Sequence, residues 1–123
     1  MNKKKILLVD DEKALSLILK KCLEQTGIYE VVVENNSNHA VAMTRDFKPD
    51  LVLLDIMMPE INGFEIAEHL QNDSTLNKIK IVFFTALPNQ QNNEIQENNR
   101  ERVFINKPVK LDKLLECFEE QLD

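Results

Sequence analysis

Five short apolar runs, spaced along the whole chain, limit what it can fold into. Residues 6–9, 31–33, 51–54, 81–84 and 103–105 are continuous stretches of Val, Ile, Leu and Phe, three or four residues each. They are too short for buried helices and do not alternate apolar with polar. A strand with one wet face would alternate. An unbroken run suits a strand covered on both faces, as in a parallel sheet.

Helical patterns fill the intervals. Ala14, Leu15, Ile18, Leu19, Cys22 and Leu23 form one stripe, and Gly27 stands where a left-handed cap ends a helix. Ser37 is placed to cap a second helix, with Ala40, Val41, Thr44 and Phe47 facing inward. Phe64, Ala67 and Leu70 mark a third near Gly63, and Leu111, Leu114, Leu115, Phe118 and Leu122 mark the last. Alternation requires one more helix around residues 89–99. That stretch has eight Asn or Gln in eleven positions and Ile95 as its single apolar anchor, so it predicts a short, poorly packed or mobile helix. The expected fold is a three-layer α/β sandwich, a five-stranded parallel sheet with five helices and right-handed crossovers, forming one domain over 1–123.

Composition removes several functions. Only two glycines, Gly27 and Gly63, exclude a dinucleotide loop and a Walker loop. Cys22 and Cys117 lack metal-ligand spacing. Cys22 reads as core, and Cys117, one position off its stripe, as partly exposed. A net charge of −6 disfavours direct binding of nucleic acid and favours a divalent cation. The apolar run after Lys3-Lys4-Lys5 is too short to cross a membrane, and scarce cysteines suit a cytoplasmic location.

In an open α/β sheet, ligands bind beyond the carboxyl ends of the strands. Asp10 and Asp11 follow the first run, Asp55 the third, Thr85 the fourth and Lys107 the fifth. Each residue alone has an ordinary explanation: a cap, a turn, a strand-end hydroxyl. Together they place three carboxylates, a hydroxyl and an ammonium on one rim. Three carboxylates repel one another unless a hard cation joins them, and an all-oxygen set suits Mg²⁺ or Mn²⁺. A carboxylate nucleophile, a metal, an ammonium and a hydroxyl are the parts needed for phosphoryl transfer to an aspartate.

These residues closely resemble the receiver domain of two-component response regulators, the CheY-like fold. The resemblance lies in ILLVDDE at 6–12, LLDIMMP at 53–59 with Gly63, Thr85-Ala86 and FINKP at 104–108. It implies strand order 2-1-3-4-5 and Asp55 as phosphoacceptor. Asp11 is then the direct Mg²⁺ ligand, Asp10 acts through water, and Met57 lends a backbone carbonyl. Thr85 and Lys107 engage the phosphoryl group, and Phe104 is the aromatic that turns inward with Thr85. The Lys107–Pro108 bond is expected to be cis. The implied donor is a sensor histidine kinase or histidine phosphotransfer protein. Output follows by contact with a downstream protein or by onward phosphotransfer, from a monomer or a phosphorylation-dependent homodimer. Apolar Met57 and Leu87 are expected to shield the acyl phosphate and lengthen its life. Two alternatives stand beside this reading. One is a degenerate receiver that only binds partners. The other is a Mg²⁺-dependent phosphohydrolase with an Asp nucleophile, for which Met57 occupies the position of the second Asp.

Overall fold

The structure is a computed structural model that describes residues 2–86, 94–95 and 101–122. In chain order it has β1 (Lys4–Val9), α1 (Lys13–Gln25), β2 (Tyr29–Glu34), a 3₁₀ turn (Ser37–His39) and α2 (Ala40–Phe47). These are followed by β3 (Leu51–Asp55), α3 (Gly63–Gln71), β4 (Lys80–Thr85), β5 (Glu94–Ile95), β6 (Glu101–Asn106) and α4 (Leu111–Leu122). Five strands are parallel in the order β2-β1-β3-β4-β6, the expected 2-1-3-4-5 arrangement with β6 as the fifth parallel strand.

The unbroken apolar runs now have their reason. Successive side chains of a strand leave opposite faces of the sheet. Ile6 and Leu8 of β1, with Leu51 and Leu53 of β3, pack against Leu19, Leu23, Leu114 and Phe118 of α1 and α4. Their neighbours Leu7, Val9, Val52 and Leu54 pack on the other face against Ala40, Ile66, Ala67 and Leu70 of α2 and α3. Both faces are covered, so neither register of alternation can be polar.

Three expectations are corrected. The stripe of α1 is rotated: Ile18 is 57% exposed and Ala14 is exposed, whereas Ser16 is fully buried. Ser16 tolerates burial because its hydroxyl donates to the Glu12 carbonyl and accepts from Asn35 Nδ2. The cap before α2 is Asn36, whose side chain accepts from the Asn38 N–H at 3.0 Å. Ser37 lies inside the 3₁₀ turn, and its hydroxyl donates to the Pro59 carbonyl at 3.0 Å. Five helices were expected, and among the described residues there are four α-helices. Most of 89–99 lies outside the described residues. Glu94 and Ile95, where the extra helix was expected, instead pair antiparallel with Arg102 and Glu101. One apolar residue gives a helix no stripe to bury, whereas two residues of ladder satisfy backbone groups without one.

Other expectations match in part. Gly27 has φ +81° just past Thr26, the C-cap of α1. A cap that no expectation named is Asn62, whose side chain accepts from the Glu65 N–H at the start of α3. Cys117 is half-buried as expected, whereas Cys22, expected in the core, is half-buried too. Burial, with Glu120 and Glu116 nearby, pushes the Cys117 thiol up to about 11, which leaves it unreactive near neutral pH.

Candidate functional site

The carboxyl ends of β1, β3, β4 and β6 meet at one rim. Asp10 is the first residue after β1 and is fully buried. Its Oδ1 accepts the Glu12 N–H at 2.9 Å and its Oδ2 accepts from Lys107 Nζ at 2.9 Å. Its backbone is fixed as well: its carbonyl accepts from Asn35 Nδ2 at 2.7 Å, and its N–H donates to the Glu34 carbonyl. Glu12 occupies the N-cap position of α1 without a side-chain cap, while Asp10 accepts its N–H from one turn of loop away.

Asp55 closes β3 and is 3% exposed. Its Oδ1 accepts a long bond from the Met57 N–H at 3.3 Å, and its Oδ2 lies 3.7 Å from Lys107 Nζ. Asp11 is exposed beside the pair. One carboxylate oxygen from each of Asp10, Asp11 and Asp55 lies within 4.8 Å of the other two. Three oxygen donors that close, two of them buried, fit a hard divalent cation of the Mg²⁺ or Mn²⁺ kind.

The electrostatics agree with that fit. Burial pushes the Asp55 carboxyl up to about 6, and the charge of Asp10 adds to the rise. Lys107 and the Met57 N–H pull the other way. Burial opposes the charge of Lys107, but hydrogen bonds to Asp10 and Glu12 outweigh it and raise its pKa. One ammonium therefore serves three carboxylates, and the site carries surplus negative charge at neutral pH.

The other expected residues fall around this cluster. Thr85 is the last residue of β4, fully buried, and its carbonyl accepts the Lys107 N–H at 2.7 Å. The Lys107–Pro108 bond is cis. Met57 is 60% exposed, and its backbone N–H donates to Asp55 Oδ1. Phe104 is buried on the α2–α3 side of the sheet, stacked on Phe83 with centroids 5.3 Å apart and edge-on to Phe64 at 6.3 Å. Leu87 lies outside the described residues.

Two participants escape a reading of the sequence. Glu12 accepts from Lys107 Nζ at 3.1 Å, across 95 positions of chain. Gly63 lies against the backbone of Asp55: a Cβ there would come within 2.3 Å of the Asp55 carbonyl oxygen. Both stand in the motifs that carry the resemblance, ILLVDDE at 6–12 and LLDIMMP at 53–59 with Gly63, but neither motif gives them a contact.

A family model for the response regulator receiver domain matches residues 6–119. The chain belongs to that family. As a receiver domain it is a signalling module of two-component systems. The polar-differentiation response regulator DivK of Brucella anthropi is 27% identical to this receiver domain over 119 residues, 97% of this chain and 96% of its own. Among solved structures, the response regulator TrrA of Thermotoga maritima, in complex with Mg²⁺ and BeF, is 30% identical. It superposes with a TM-score of 0.81 over 97% of this chain and 99% of its own. The receiver domain of Francisella response regulator 1452 shares the fold at a TM-score of 0.82, with 20% identity over 98% of this receiver domain and 97% of its own chain. No helix among the described residues is long and apolar enough to cross a membrane.

Proposed function

We propose that this receiver domain is switched by phosphorylation of Asp55. The observation that carries the reading is the clustering of the Asp10, Asp11 and Asp55 oxygens within 4.8 Å, with the Lys107 ammonium 2.9 Å from Asp10 and 3.7 Å from Asp55. Asp11 and Asp55 would hold Mg²⁺ directly, Asp10 through water, and Met57 through its backbone carbonyl. The Mg²⁺–BeF complex of the Thermotoga relative supports this ligand chemistry. When bound, the cation neutralises charge on the equatorial phosphoryl oxygens.

The protein's own groups do the rest. An Asp55 oxygen attacks phosphorus in line while the bond from phosphorus to the donor's imidazole nitrogen breaks, and that nitrogen keeps the electron pair. Lys107 pairs with one phosphoryl oxygen and the Thr85 hydroxyl with another. Thr85 and Lys107 are already joined through the backbone bond from Lys107 N–H to the Thr85 carbonyl, so a shift of one is felt by the other. Phe104 of β6 sits three residues before Lys107, packed in the α2–α3 layer, and reads the shift as a packing change. Met57 would act with Leu87 to shield the acyl phosphate from water. The reading carries a cytoplasmic location with it, alongside the donor.

The test is transfer from a phosphorylated histidine kinase or phosphotransfer protein. The label should move to the wild-type chain and not to Asp55→Asn. Steady turnover of a phosphate ester would favour the phosphohydrolase alternative instead, and absence of Mg²⁺ binding the binding-only one.

The donor needs a surface near the rim. Leu17 and Ile18 on α1 are 51% and 57% exposed, an apolar pair outside both core clusters of the described residues. Leu17→Asp with Ile18→Asp is expected to slow transfer from such a kinase by about tenfold or more, as loss of a central apolar anchor does. Labelling by acetyl phosphate, which needs no docking surface, should stay within about twofold of wild type on the same grounds. Equal losses with both donors would refute a docking role for this pair.

A further inference from the structure

We propose that Glu12 is a positioning residue that holds the Lys107 ammonium away from Asp55 and so limits how readily the lysine serves the phosphoryl group. The inference rests on Asp55 as the phosphoacceptor. An ammonium has three N–H donors. Here Nζ bonds to Asp10 Oδ2 at 2.9 Å and to Glu12 Oε1 at 3.1 Å, while Asp55 Oδ2 at 3.7 Å is beyond hydrogen-bond distance. Nζ also lies 4.8 Å from the centroid of the Phe84 ring, which bounds the ammonium on another side. The two short bonds thus go to groups other than the one the lysine must serve.

The two bonds differ in how they yield. Asp10 is fully buried and fixed at both carboxylate oxygens and at its backbone, so it keeps its place. The Glu12 carboxylate, 60% exposed, loses little when water replaces the ammonium. Movement of Nζ toward Asp55 therefore keeps the Asp10 contact and breaks the Glu12 one. Glu12 acts as a weak brake on the surface, adjustable without disturbing the buried cluster. Its chain position favours this: it is the N-cap residue of α1, and its backbone is tied by the bond to Asp10 Oδ1, so only the side chain swings.

The test compares wild type, Glu12→Gln, Glu12→Asp, Lys107→Ala and the double variant Glu12→Gln/Lys107→Ala. The rate of phosphoryl addition from acetyl phosphate is followed at saturating Mg²⁺. Glu12→Gln should be about two- to fivefold faster, the range expected for loss of one exposed ion pair. Glu12→Asp keeps the charge but is one methylene short of Nζ, and should also be faster. On the Lys107→Ala background the Glu12 substitution should have no effect. Acceleration that persists without Lys107 would mean that the charge of Glu12 merely repels the donor, and an unchanged or slower Glu12→Gln would also overturn the proposal. A crystal structure of metal-free Glu12→Gln gives a readout that needs no phosphorylation. The distance from Nζ to Asp55 Oδ2 should shorten from 3.7 Å to about 3.0 Å. An unchanged distance overturns the inference even if the chain is a working receiver. If wild type takes no phosphoryl group, that failure belongs to the functional reading, and the distance still decides the role of Glu12.

Discussion

Gly63→Ala is expected to destabilise the chain by about 3 kcal/mol and to slow phosphorylation of whatever folds. The added Cβ would lie 2.3 Å from the Asp55 carbonyl oxygen and 3.0 Å from both the Asp55 carbonyl carbon and Ile56 Cα. All three are backbone atoms at the end of β3, so no side chain can swing aside. Gly63 begins α3, and its N–H donates to the Ile56 carbonyl at 3.0 Å, so the helix start is tied to the strand end it would have to leave. Overpacking of a tight core costs about 1–3 kcal/mol, and a clash with fixed backbone belongs at the upper end. The atoms displaced are those of Asp55 itself. A reacting group misplaced by about 1 Å loses on the order of a hundredfold in rate. Gly27→Ala is the matched control. Its φ is +81° but a Cβ there meets nothing within 4 Å, so it should cost about 1 kcal/mol and leave phosphorylation unchanged. Denaturant unfolding and acetyl phosphate labelling of both variants check this. Equal stability losses at the two glycines would contradict the close-approach argument.

Asp55→Asn is expected to stabilise the metal-free protein at pH 7 by about 2–3 kcal/mol. Burial and the neighbouring Asp10 raise the Asp55 carboxyl from 3.8 to about 6 in the folded chain. Unfolded, it releases its proton near 3.8; folded, it keeps it to about 6. Between those values the native state binds more protons than the unfolded state, so stability falls as pH rises and levels off above about 6. Asparagine is neutral throughout and escapes this loss, although it also forgoes the attraction of Lys107, which makes the figure an upper estimate. The two proteins should therefore be similar near pH 4 and diverge toward pH 7. Mg²⁺ should stabilise wild type at pH 7 by relieving the same repulsion. Urea unfolding in chelator across this range measures the gap. A gap that is constant with pH, or that favours wild type at pH 7, would contradict the strained-carboxylate account.

Strands and rim residues were legible in the sequence for the same physical reason. A strand buried on both faces leaves an unbroken apolar run, and the first polar residue after such a run marks its carboxyl end. Asp10, Asp55 and Thr85 are the first polar residues after their runs, and Lys107 follows one residue beyond Asn106, so all four fall on one rim. Rotation of α1 was not legible. Ile18 and Ser16 exchange the roles their polarity suggests, because Asn35 and the Glu12 carbonyl satisfy the buried hydroxyl, and those partners come from the fold. Asn36 in place of Ser37 as the cap is a choice between two equally good residues, decided by the Pro59 carbonyl that takes the serine. At Glu94–Ile95, alternation argued for a helix and local composition against one, and antiparallel pairing with β6 prevailed. The contacts of Glu12 with Lys107 and of Gly63 with Asp55 are products of chain crossing, and no local pattern encodes them.

The most direct test of the account is the intact mass of the chain after incubation with acetyl phosphate and Mg²⁺, beside Asp55→Asn and a sample in chelator. The account predicts a single phosphoryl addition to wild type that is absent from both controls. Addition that survives in Asp55→Asn, or that ignores the chelator, would contradict it. So would a wild-type chain that takes no phosphoryl group from acetyl phosphate or from a phosphohistidine donor.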